Sequence, residues 1–127
     1  MKKRILIFED NLISSFALEM MLRENGYHPV GAYDTADQLV MICQETEPDL
    51  VVLDIMLNGK KTGVEAASEL RYHSTVPILF ATAFSQDDVL KDLKTIAGSS
   101  LVTKPYDEQR IIKKISEVLA ASKKETT

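Results

Sequence analysis

Five polar residues follow short apolar runs in this chain, and their types suit the handling of a phosphate. Glu9 and Asp10 come after Ile5-Leu6-Ile7-Phe8, Asp54 after Leu50-Val51-Val52-Leu53, Thr82 after Ile78-Leu79-Phe80-Ala81, and Lys104 shortly after Leu101-Val102. Carboxylates gathered in one place repel one another and raise the pKa of at least one of them, unless a cation is shared. Oxygen ligands with room for water favour Mg2+ or Mn2+ over zinc. A metal, a hydroxyl and an ammonium around Asp54 would stabilise the charge that spreads over the oxygens of a transferring phosphoryl group. Asp54 would then be the nucleophile. Taken singly these residues read as helix caps, turn chemistry or exposed loop charge. Only their joint placement carries the argument, and that depends on the elements that position them.

The runs 5–8, 50–53 and 78–81 are continuously apolar, as parallel strands buried on both faces must be, and Leu101-Val102 is a shorter example. His28-Pro29-Val30-Gly31-Ala32-Tyr33 is the weakest strand, because proline cannot donate to a ladder and glycine weakens a strand interior; it belongs at an edge. Between the strands lie helical repeats. Ile13, Phe16, Ala17, Met20 and Met21 share one face, which we assign to the core, with the methionine pair as gap-fillers. Ala36, Leu39, Val40 and Cys43 form the second repeat, and Gly63, Ala66, Ala67 and Leu70 the third. Val89, Leu93 and Ile96 mark the fourth, and Ile111, Ile112, Ile115, Val118 and Leu119 the fifth. Gly26 is placed to stop the first helix, Asp34 or Thr35 to cap the second, and Ser85 to cap the fourth.

This alternation predicts an α/β fold, a doubly wound five-stranded parallel sheet, and the order 2-1-3-4-5 puts the weak strand outside. Ligands of such sheets bind beyond the carboxyl ends of the strands where the winding reverses, here between the first and third strands. Asp10 and Asp54 would sit about one strand spacing apart, ~4.8 Å, with Lys104 two strands from Asp54, about 10 Å, a gap its stem could largely cross.

Composition sets the bounds. With 127 residues, 45% hydrophobic and 27% charged, the chain supports one domain, which we place at 1–121 with a frayed tail at 122–127. A net charge of −4 and a pI near 5.2 disfavour direct nucleic-acid binding. The single cysteine, Cys43, can form no internal bridge and suits a reducing compartment as a buried helix residue. The apolar run after Met1-Lys2-Lys3-Arg4 ends at Glu9, short of the roughly 7–15 residues of a secretory signal. No stretch approaches the roughly 18 apolar residues of a membrane span, so we expect a cytoplasmic protein. His28 and His73 are isolated and read as surface or structural residues, and Lys60-Lys61 as solvated loop charge.

The runs Ile5 to Asp10, Leu50 to Ile55, Phe80-Ala81-Thr82 and Thr103-Lys104-Pro105-Tyr106 resemble, in order and spacing, the receiver domain of two-component response regulators. The resemblance extends from Lys3 to about Ala121. It implies a flavodoxin-like (βα)5 fold with Asp54 as phosphoacceptor. Asp10 and Asp54 become direct ligands of Mg2+ (or Mn2+), Glu9 a ligand largely through water, and the Met56 carbonyl a further contact. Thr82 would bind the phosphoryl group and relay the change, Lys104 would pair with its oxygens, and the Lys104-Pro105 bond would be cis. The implied function is a signalling module that supports its own phosphotransfer and dephosphorylation rather than a turnover enzyme. Its partners would be a sensor histidine kinase or histidine phosphotransfer protein upstream. Downstream it would meet an unnamed protein, through the face of the fourth helix, fifth strand and fifth helix, while remaining a monomer or weak dimer. Two alternatives compete: a phosphorylation-independent binding module on the same scaffold, and an aspartate-nucleophile phosphatase. The second needs Asp-x-Asp, and Asp54-Ile55-Met56 lacks the second acid.

The chain departs from the family pattern at three places. Glu9 stands where aspartate is commonest. The loop from Asp54 to Gly63 is longer than the usual form by one residue and lacks its proline, leaving Asn58-Gly59 to supply the turn. Leu101 occupies the position of an aromatic switch, for which Phe84 and Tyr106 are candidate substitutes. Pro77 to Phe84 resembles the "FAT GUY" subgroup of single-domain receivers, with Ala83 for its glycine, and with no output domain in view signalling would pass through a protein partner.

Overall fold

The computed structural model describes residues 1–83 and 87–125, with 87–89 and 123–125 described by backbone alone. Strands and helices alternate: β1 (Arg4–Phe8), α1 (Leu12–Glu24), β2 (His28–Tyr33), α2 (Leu39–Thr46), β3 (Leu50–Leu53), α3 (Gly63–Leu70), β4 (Ile78–Thr82), α4 (Asp87–Lys94), β5 (Ser99–Thr103) and α5 (Glu108–Glu125). The strands pair in parallel in the order β2-β1-β3-β4-β5. Successive residues of a strand point to opposite faces, so the continuous apolar runs feed two cores. Leu6, Phe8, Val51, Leu53, Ile78 and Phe80 pack with residues of α2, α3 and α4, whereas Ile5, Ile7, Leu50, Val52 and Leu79 pack with α1 and α5.

Edge strand β2 carries the irregularity its composition foretells. Its register against β1 shifts between Ile5 and Leu6, which pair with Pro29 and Gly31 and pass over Val30. Gly26, at φ 85, turns the chain after α1. The third helix is started by a reciprocal cap: Glu65 N–H donates to Thr62 Oγ1 at 3.1 Å, and Thr62 N–H to Glu65 Oε1 at 3.0 Å.

Three expectations need correction. The buried stripe of α1 is Ser15, Leu18 and Leu22, while Ile13, Phe16 and Met20 are exposed. This helix is apolar almost all round and has a serine in its buried stripe, so periodicity alone selected the wrong face. The second helix begins at Leu39 after Gln38, with no side-chain cap, because Asp34 and Thr35 lie in the preceding loop and Thr35 forms a bridge with Asn58. Lys61 is ion-paired with Glu69 rather than simply solvated. The last helix extends to Glu125. Phe84 and Ser85 lie outside the described residues. Among the described residues, no helix is long and apolar enough to cross a membrane.

Candidate functional site

The ends of β1 and β3 bring the acids together. Phe8 pairs with Leu53, and Asp54 N–H donates to the Phe8 carbonyl at 3.0 Å, so the backbone of Asp54 is fixed to the strand that delivers Glu9. On the far side Glu9 N–H donates to the Tyr33 carbonyl at 2.9 Å. A carboxylate oxygen from each of Glu9, Asp10 and Asp54 lies within 4.8 Å of the others. Glu9 and Asp54 are buried, and Asp10 is more open. Oxygen-only donors this close form a set that a hard dication fits.

Lys104 crosses the gap from β5. Its ammonium donates to Asp54 Oδ2 at 2.9 Å and forms a short ion pair with Glu9 Oε1. Burial lowers the Lys104 pKa, but the Glu9 and Asp54 carboxylates together more than offset this and leave it above the ordinary lysine value. The remaining oxygens are also engaged: Glu9 Oε2 accepts from Asn11 N–H and Asp54 Oδ1 from Met56 N–H, each at 3.2 Å. Glu9 shares the lysine with Asp54, a pairing that strand spacing does not foretell. A spacing argument that counts strands does not resolve which acid a long flexible stem will reach.

Thr82 ends β4 and is 1% exposed; its carbonyl accepts Lys104 N–H at 2.9 Å, joining the two strand ends. The Lys104-Pro105 bond is cis. Arg110, from the first turns of α5, holds this loop with one guanidinium nitrogen reaching the carbonyls of Thr103 at 3.2 Å and Pro105 at 3.3 Å. Its other terminal nitrogen reaches Thr103 Oγ1 at 2.7 Å. Sequence reasoning passed over Arg110 because an arginine near a helix start has no motif of its own.

The loop after Asp54 returns tightly. Gly63 N–H donates to the Ile55 carbonyl at 2.9 Å, and a Cβ at Gly63 would lie 2.1 Å from the Asp54 carbonyl oxygen, so only glycine lets α3 start here. The Met56 side chain is exposed. Leu101 packs against the core on the α2–α4 side of the sheet, whereas Tyr106 packs against the core on the α1–α5 side. Tyr106 therefore lies across the sheet from Leu101. Burial pushes its phenol above the ordinary tyrosine value.

This fold and site place the chain in a known class. The family description "Response regulator receiver domain" matches residues 5–116, and the chain belongs to that family. Response regulators receive phosphoryl groups from histidine kinases, and their receiver domains generally serve as signalling modules. Among its relatives is the transcriptional regulatory protein PdtaR of Mycobacterium tuberculosis (strain CDC 1551 / Oshkosh), 33% identical over 110 residues. The match covers 87% of this chain and 53% of PdtaR, so the chain spans about half the length of that relative. The signal receiver domain of a modulated diguanylate cyclase from Desulfovibrio desulfuricans G20 superposes with a TM-score of 0.90 at 26% identity, over 98% of this chain and 99% of that one. The Vibrio cholerae chemotaxis protein CheY4 superposes with a TM-score of 0.83 at 20% identity, over 93% of this chain and 99% of that one, a likeness of fold.

Proposed function

We propose that Asp54 accepts a phosphoryl group from a phosphohistidine donor, either a sensor histidine kinase or a histidine phosphotransfer protein, and that the chain then signals through its surface to a second protein. The observation that supports this best is the buried Asp54 carboxylate, which shares an ammonium with Glu9 inside a set of three acids. In the transfer an Asp54 carboxylate oxygen forms a bond to phosphorus while the bond from phosphorus to the donor imidazole breaks, leaving an acyl phosphate. Glu9, Asp10 and Asp54, with the Met56 carbonyl, are the residues that would hold Mg2+ or Mn2+. When bound, such a dication neutralises charge on the phosphoryl oxygens.

Lys104 trades its contact with the Asp54 carboxylate for one with a phosphoryl oxygen, and Thr82 offers a hydroxyl from the neighbouring strand end. The Thr82 carbonyl already accepts the Lys104 N–H, so displacement at β4 is passed to β5 and on to the α4-β5-α5 face. On the input side, Leu12, Ile13, Phe16 and Met20 of α1 expose apolar surface that begins two residues after Asp10. A donor protein must bring its imidazole to Asp54, and this face gives it an apolar surface to press on. The chain would act as a monomer or weak dimer in the cytoplasm.

The test is beryllofluoride, a phosphoryl mimic, added with Mg2+ to 15N-labelled protein. Shifts at Asp54, Thr82, Lys104 and along β5 support the reading, and unchanged spectra would favour a phosphorylation-independent binding module.

A further inference from the structure

A metal contact made by a loop carbonyl is only as well defined as the loop. Met56 is 57% exposed, so its side chain supplies little packing to fix the backbone that carries its carbonyl. The β3–α3 segment is instead tied at its base and at its far end. The base is closed by Gly63 N–H on the Ile55 carbonyl at 2.9 Å and by the cap between Thr62 and Glu65. The far end is held by Asp37, which lies in another loop, between β2 and α2.

The Asp37 carboxylate accepts three contacts from two successive backbone N–H groups. Lys60 N–H reaches Oδ1 at 3.0 Å and Oδ2 at 3.1 Å, and Lys61 N–H reaches Oδ1 at 2.9 Å. The preceding residue is Gly59 at φ 97, where a Cβ would stand 2.8 Å from Oδ2, 2.9 Å from Oδ1 and 3.0 Å from Thr35 Cβ. Glycine is thus required twice over, by its backbone angle and by the closeness of Asp37. Thr35 and Asn58 form a parallel bridge beside it. The Lys61 and Lys60 N–H groups also hold the Asp37 carboxyl below the ordinary carboxylate range, as bonds to the charged form must.

We infer that Asp37 is a positioning residue for the dication site: by fixing Gly59, Lys60 and Lys61 it sets where the lengthened loop places the Met56 carbonyl beside Asp54. This inference rests on the metal-dependent reading proposed above. Asp37 does not touch the site; it acts through the loop. Loosening the loop should lower metal affinity by about tenfold, the lower end of what is lost when a group hydrogen-bonded directly to a metal ligand is removed.

The test compares Mg2+ affinity by calorimetric titration, with amide hydrogen exchange at Lys60 and Lys61, in the wild-type chain and three variants. Asp37→Ala should free both amides and weaken Mg2+ binding by about tenfold, with thermal unfolding used to verify that it is folded. Asp37→Asn keeps Oδ1, which both N–H groups reach, and should restore most of the affinity. Glu69→Ala removes the side-chain ion pair of Lys61 but leaves the clamp, and should bind Mg2+ as the wild type does. Wild-type affinity in Asp37→Ala with freed amides, or equal losses in Asp37→Ala and Glu69→Ala, would overturn the inference alone. Absence of Mg2+ binding by the wild-type chain would overturn the metal-dependent reading and this inference with it.

Discussion

Replacing Lys104 with methionine keeps most of the stem and removes the cation shared by Glu9 and Asp54. In the metal-free protein that cation partly neutralises the acids, so an incoming dication must either displace it or bind against its repulsion. At the dielectric constant of water, an ammonium 2.9 Å from Asp54 Oδ2 is worth about 1.4 kcal/mol, or about tenfold in an equilibrium constant. Lys104→Met should therefore bind Mg2+ about tenfold more tightly than the wild type, while phosphoryl uptake from acetyl phosphate falls because the oxygens lose their ammonium partner. A calorimetric titration reads the first effect and a labelled phosphodonor the second. Mg2+ affinity equal to or weaker than wild type would refute the electrostatic reasoning, since it would mean that the lysine does not compete for these carboxylates.

Phe16→Ala together with Ile13→Ala should slow transfer from a protein donor and leave phosphorylation by acetyl phosphate unchanged, as stopped-flow or gel assays with both donors will show. Gly63→Ala drives a Cβ to 2.1 Å from the Asp54 carbonyl and should cost at least about 2 kcal/mol in urea unfolding, because backbone has to move. Burial pushes the Cys43 thiol from 9.0 up to about 11, so thiol reagents should react slowly with the native chain at neutral pH and rapidly once it is unfolded. The same shift has a sign for stability: the unfolded chain releases this proton first, so stability should fall as pH rises above about 9 and until about 11, and less so in Cys43→Ala.

The parts of this molecule that could be read from the sequence are those where one physical constraint dominates. Continuous apolar runs declared buried parallel strands, and Pro29 with Gly31 declared the edge, because no central strand tolerates them. The acids at 9, 10 and 54 followed from strand order alone. What escaped the reading depended on choices among similar residues. In α1 apolar residues surround the helix, so burial of Ser15, Leu18 and Leu22 was decided by packing that no local pattern records. The clamp from Asp37 to Lys60 and Lys61 joins loops far apart in the chain through backbone N–H groups, which carry no side-chain signature. Only Gly59 hinted at it, and its turn role was explanation enough. The cap on α3 was different: Thr62 and Glu65 form a recognisable Thr-x-x-Glu signature that a closer reading of helix starts would have found.

The most direct measurement is peptide mapping by mass spectrometry after incubation with acetyl phosphate, with and without Mg2+. The expected result is one acid-stable, base-labile phosphoryl group, carried by the peptide that contains Asp54, formed only when the metal is present and absent from Asp54→Asn. A phosphoryl group on another residue, or equal modification of Asp54→Asn, would contradict the assignment of this carboxylate as the acceptor.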